Sequence, residues 1–78
     1  TGEIIDIGPE LAMGAPEFNR LRLIVKQYLR KHTQATASDL RKAMNVSRRI
    51  LIPVLEKLDR DGLTARRGDV RVLRRDED

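Results

Sequence analysis

An α+β fold is predicted, three helices followed by an antiparallel hairpin, and three observations carry the prediction. Apolar residues recur at a helical period in three successive segments, and a helix-start residue precedes each of them. The last segment alternates around Gly68-Asp69, as a hairpin does.

Ile4-Ile5-Asp6-Ile7 and Leu11-Ala12-Met13 flank the turn signal Gly8-Pro9, which reads as a strand, a turn and a second short strand. Gly14-Ala15-Pro16 leads into the first helix, because proline suits the first helical position. Phe18, Leu21, Ile24, Val25, Tyr28 and Leu29 form its buried stripe, and an end is expected around Lys31-His32. Thr36, with Asp39 three residues later, resembles a capping box and starts a short helix with Leu40, Ala43 and Met44 inward. Asn45-Val46 is a tight turn and Ser47 the N-cap of a third helix, which buries Leu51, Val54, Leu55 and Leu58 and stops at Gly62. Pro53 removes a backbone hydrogen bond inside this helix, so a local kink is expected. In the closing hairpin a two-residue Gly68-Asp69 loop pairs Arg67 with Val70 and Arg66 with Arg71. Ala65 and Val72 would then join Leu63 toward the core, leaving Arg66 and Arg71 on the outer face. Short strands, helix, helix, tight turn, helix and hairpin make a winged helix: a three-helix helix-turn-helix core with a small antiparallel β-sheet as its wing.

Composition limits the function classes. The 78 residues make one domain, 1–78, with no internal repeat, and the first residue is not Met, as expected of a C-terminal fragment of a larger protein. The absence of cysteine removes disulfides and thiolate metal sites and suits a cytoplasmic setting. No apolar run is long enough to span a bilayer, and no signal-peptide layout opens the chain. The net charge of +4 is segregated: Glu3, Asp6, Glu10 and Glu17 stand before any base, all 16 Lys and Arg fall within residues 20–75, and Asp76-Glu77-Asp78 closes the chain. Most of the bases are arginine, the side chain best suited to bidentate phosphate contact, so the middle of the chain reads as a polyanion footprint. A solvated charged surface is the plainer alternative, and only placement decides between the two.

Two placements favour a ligand. Arg48 and Arg49 open the third helix, where the macrodipole disfavours cations by about 0.3–1 kcal/mol each when exposed. A phosphate docked there reverses the penalty, drawing together free N–H groups, the Ser47 hydroxyl and two guanidinium groups. On the wing, Arg66 and Arg71 directly opposite one another repel, at a cost of a few tenths of a kcal/mol. Edge protection accounts for one or two charges there, whereas Arg66, Arg67, Arg71, Arg74 and Arg75 exceed that need. Arg41 and Lys42 are weaker candidates on the second helix. Tyr28 and Phe18 read as core, so a stacking platform for single strands is missing. His32 reads as a helix-end residue, and Glu56 and Asp59, beside Lys57 and Arg60, as a solvated face. No phosphate-binding glycine loop, nucleophile–base pair or metal cluster appears, which excludes enzyme classes and implies no catalytic residue, cofactor or metal.

The pattern Val46-Ser47-Arg48-Arg49, Ile52-Pro53-Val54-Leu55-Glu56-Lys57-Leu58-Asp59-Arg60-Asp61-Gly62-Leu63-Thr64 and Arg66-Arg67-Gly68-Asp69-Val70-Arg71-Val72-Leu73 resembles the last winged-helix module of the bacterial selenocysteine-specific translation elongation factors, the SelB family. The opening Gly2-Glu3-Ile4-Ile5-Asp6-Ile7-Gly8 with Leu11-Ala12-Met13 resembles that module's entry, so the likeness runs over nearly the whole chain. It implies a monomeric RNA-binding module that grips the selenocysteine insertion (SECIS) hairpin of an mRNA and tethers the factor to the ribosome-bound message. By the same likeness Ser47, Arg48 and Arg49 meet the RNA backbone, with Arg66 and Arg71 as supporting contacts; Arg67 joins them by its place on the wing. Two departures stand out: Arg49 where the family commonly has Lys, which keeps the charge, and Ile50 where it commonly has an aromatic.

Charge placement alone leaves two other readings open, a DNA-binding transcription regulator and a protein-interaction winged helix. A reader of the B-form major groove places Asn, Gln or Ser along the recognition helix, yet Ile50, Leu51, Ile52 and Pro53 follow the two arginines here. That favours contact through the helix start, as RNA loops and bulges require.

Overall fold

The structure is a computed structural model and describes residues 3–74. Arg75 and the acidic run 76–78 lie outside the described residues, as do Thr1 and Gly2. The order is β1 (Ile4–Gly8), β2 (Leu11–Gly14), α1 (Ala15–His32), β3 (Ala35–Thr36), α2 (Ala37–Met44), α3 (Arg48–Arg60), β4 (Thr64–Arg67) and β5 (Val70–Leu73). This is the expected α+β winged helix, with one short strand, β3, that the sequence pattern did not reveal. Two residues carry no alternation to detect; β3 exists because β5 lies beside it.

The helices begin and end as their sequence signals require. Thr36 accepts from the Asp39 amide at 3.1 Å while Asp39 Oδ2 accepts from the Thr36 amide at 3.1 Å, a complete capping box. At the end of α3, Gly62 adopts φ +84°, and the amides of Gly62 and Leu63 donate back to the Asp59 and Leu58 carbonyls. That is the Schellman arrangement, which needs a residue comfortable in left-handed backbone at this point. α3 runs through Pro53 without a break. His32 ends α1, its ring 4.2 Å from that of Tyr28.

The core holds most of the expected helix residues and adds two from the strands; Ala43, expected inward, is half-buried and outside it. Phe18, Leu21, Val25 and Leu29 of α1 meet Leu40 and Met44 of α2 and Leu51, Val54, Leu55 and Leu58 of α3. Ile7 of β1, Ala35 of β3 and Leu63 complete it, and Tyr28 and Ile24 pack at its margin. β1 and β2 form a separate antiparallel ribbon whose open end is closed by the Ala15 amide donating to the Glu3 carbonyl. The Arg60 guanidinium donates to the Ile7 carbonyl at 3.1 Å, fastening this ribbon to α3.

The second sheet has the order β3-β5-β4. Its hairpin register is the predicted one, Arg67↔Val70 and Arg66↔Arg71. Gly68 has φ +60° and Asp69 does not share the sign, the pattern of a type II′ turn. The facing is opposite to expectation. Thr64 and Arg71 are buried and Leu73 packs on the core, whereas Val72 and Ala65 are only half-buried and outside the core cluster. Leu63 is the reason: it is buried as the residue after the Schellman glycine, before the strand begins, so alternation counted from it is out of phase with β4.

Candidate nucleic-acid interface

The tight turn between α2 and α3 sets the direction of α3. Asn45 takes left-handed backbone (φ 56°, ψ 50°) and its amide donates to the Arg41 carbonyl, ending α2. Ser47 is extended (φ −75°, ψ 160°), as an N-cap residue should be, but its hydroxyl makes no capping bond. Only its carbonyl is used, accepting from Ile50 and Leu51. Ser47, Arg48 and Arg49 are all exposed. Among the described residues Arg48 and Arg49 form no ion pair or side-chain hydrogen bond.

The other two helices provide an internal comparison. α1 carries Glu17 in its first turn and α2 carries Asp39, each complementing the positive helix end. α3 has no acid in its first turn and begins with two arginines. Only the start of α3 departs from the rule for helix stability, and it does so at the exposed end of the helix.

Arg48 and Arg49 diverge, because successive helical residues are about 100° apart. Arg49, with Ile50 and Pro53, lines a cleft of about 700 Å³ whose other wall is the β1–β2 turn, Pro9, Glu10 and Leu11. Arg48 lines a separate, smaller hollow of about 270 Å³, with Ser38 and Arg41 of α2 and Leu51 and Ile52 of α3. The approach of the β1–β2 turn to α3 was not legible in the sequence, since nothing local links Glu10 to Arg49.

On the wing, Arg66 and Arg67 are exposed; Arg66 Nε donates to the Gly68 carbonyl at 3.3 Å within the turn. Arg71 was expected beside them on the outer face, and the structure corrects this. Its side chain points inward, and its Nε and Nη2 donate to both carboxylate oxygens of Asp59 on α3, with Nη2 to Oδ2 at 3.0 Å. The Thr64 hydroxyl donates to Asp59 Oδ1 as well. Asp59 therefore does not belong to a solvated face: it balances the Arg71 charge and joins both wing strands to α3. The Arg66–Arg71 repulsion is answered inside the protein.

Among the described residues no three His, Cys, Asp or Glu side chains gather as metal ligands, and no helix is long and apolar enough to cross a membrane.

Comparison with known proteins gives two findings. The family described as "Elongation factor SelB, winged helix" matches residues 27–73, more than half of the chain. A solved structure, the mRNA-binding domain of elongation factor SelB from E. coli in complex with SECIS RNA, superposes with a TM-score of 0.81 at 26% sequence identity. That match covers 92% of this chain and 60% of the E. coli one. Comparison with curated protein sequences gives no match.

Proposed function

The chain belongs to the winged-helix family of elongation factor SelB, and on that premise we propose that it binds a SECIS-type mRNA hairpin through the start of α3 and the wing. Ser47, Arg48 and Arg49 hold backbone phosphates beside loop or bulge nucleotides, and Arg66 and Arg67 approach the same strand from the wing. Arg71 supports the wing from beneath through Asp59 and leaves the contact set. The observation that carries this reading is the start of α3, the one helix start with cations in place of an acid, exposed and without internal partners. An anion at that point converts an unfavourable dipole contact into a favourable one.

In this reading the chain acts as a monomeric cytoplasmic module that carries out no reaction and takes no cofactor. It fastens the rest of an elongation factor to the message on the ribosome during selenocysteine insertion. RNA is favoured over duplex DNA because the outward side of α3 beyond its first turn presents Ile52 and Glu56, which supply little for reading base edges in a major groove.

Fluorescence anisotropy with a labelled SECIS RNA hairpin tests the proposal. With about four phosphates engaged, log affinity falls with log salt concentration at a slope of roughly −3 to −4. Arg48→Ala combined with Arg49→Ala reduces affinity at least a hundredfold with an unchanged circular-dichroism spectrum. Duplex DNA of equal length that competes as well as the hairpin, or a double variant that binds like the wild type, overturns the reading.

A further inference from the structure

We infer that the hollow between α2 and α3 is a second phosphate site, where Arg41, Ser38 and Arg48 hold a backbone phosphodiester of the bound RNA between the α3 start and the wing. This rests on the proposed RNA-binding function and extends it to a helix and two residues outside the contact set above.

Helical spacing brings the cup together. Ser38 and Arg41 are three residues apart and so share one side of α2, and Arg48, Leu51 and Ile52 share one side of α3. Arg41 and Arg48 line the same hollow of about 270 Å³, and no acid lines it with them. The nearest carboxylate in sequence, Asp39, is turned back onto the Thr36 amide by the capping box. Neither arginine has an ion-pair partner among the described residues. Arg41 alone needs no ligand, since the last turn of α2 is the favourable end for a cation. Its sharing of a hollow with Arg48, the cation at the unfavourable end of α3, is what calls for an anion. Leu51, 2% exposed, and Ile52, 37% exposed, supply the apolar part of its lining. The larger cleft differs on this point, because Glu10 shares its lining with Arg49.

The sheet gives the hollow its place along the strand. Thr36 pairs with Val70, and Val70 pairs with Arg67, so the residue before α2 and the wing arginine lie in one cross-strand row. Two strand spacings, about 10 Å, separate them. Ser38 follows Thr36 by two residues, so the hollow lies close to the β3 edge of the wing sheet, and an RNA strand held by both the α3 start and the wing can lay a phosphate in it.

Anisotropy titrations of the whole chain with the same SECIS hairpin, at three salt concentrations, decide the matter. Arg41→Gln lowers affinity about tenfold and makes the salt slope shallower by about one, as loss of a phosphate contact does. Ser38→Ala lowers affinity two- to threefold. Lys42→Gln, the neighbouring exposed cation that does not line the hollow, changes it less than twofold. Combining Arg41→Gln with Arg48→Ala costs less than the product of the single losses, because both hold one phosphate. A wild-type chain that binds while Arg41→Gln behaves like Lys42→Gln overturns this site and leaves the proposed function standing, as does full multiplicativity of the pair. A wild-type chain that does not bind the hairpin overturns both.

Discussion

Two pairs of arginines stand in positions that a sequence chosen for stability alone would avoid. Arg48 and Arg49 sit on the positive end of α3, and Arg66 and Arg71 face each other across the wing. At the helix start the conflict stays open: neither side chain forms an ion pair, although Glu10 shares the cleft of Arg49. On the wing it is closed, because Arg71 turns inward to Asp59. An unfavourable charge placement therefore signals a ligand only where no internal countercharge reaches it. The reach is set by tertiary structure: Asp59 is twelve residues from Arg71 and meets it only because the wing folds back on α3.

Removing Asp59 breaks this contrast most severely. Arg71 would keep a nearly buried charge with no partner, and Thr64 would lose its acceptor. Loss of one member of a buried pair costs about 3–5 kcal/mol, and partial exposure of Asp59 brings this to about 2–3 kcal/mol. Thermal unfolding of Asp59→Ala is expected roughly 10–20 °C below the wild type, at 4–8 °C per kcal/mol for a domain of this size. A change of only a few degrees would return Arg71 to the role of a surface cation.

Periodicity and capping made most of the fold legible. The stripes of α1 and α3, the Thr36–Asp39 box and the Gly62 stop all lie within short windows where 3.6-residue spacing and local hydrogen bonds decide the outcome. The hairpin register was equally local, fixed by Gly68-Asp69. Its facing was not. Leu63 is apolar and buried, yet it belongs to the helix end and not to the strand, and only the fold shows that the alternation restarts at Thr64. The arginines at the α3 start could be placed from sequence, because a helix N-terminus is a local feature. Their two different surroundings, Glu10 beside Arg49 and Arg41 beside Arg48, depend on contacts between distant segments and leave no local trace.

A smaller effect separates the exposed part of the wing from its anchored part. Arg66→Ala with Arg67→Ala touches no buried group, so unfolding should shift by no more than about 0.5 kcal/mol. Hairpin affinity falls about tenfold, or about 1.4 kcal/mol, if both side chains approach phosphates. Anisotropy and thermal melts of the same sample check both outcomes. An unchanged affinity would confine the interface to the helix start and the hollow beside it.

The smallest effect is the one that best separates Arg48 from Arg49. Replacing either with Glu reverses its interaction with the α3 dipole, removing an unfavourable contact and adding a favourable one, each worth about 0.3–1 kcal/mol. The two reversals are not equivalent. At position 48 the new carboxylate shares a hollow with Arg41, so Arg48→Glu gains on both counts and stabilises the fold by about 1 kcal/mol. At position 49 it shares a cleft with Glu10, and repulsion offsets the dipole gain, leaving Arg49→Glu within about 0.5 kcal/mol of the wild type. Both variants lose the hairpin. Urea melts at low salt resolve the difference, and high salt, which screens exposed charges, brings the two together. A residue whose charge reversal makes the domain more stable while abolishing RNA binding is held at that position by its ligand, and Arg48 is expected to show this more clearly than Arg49.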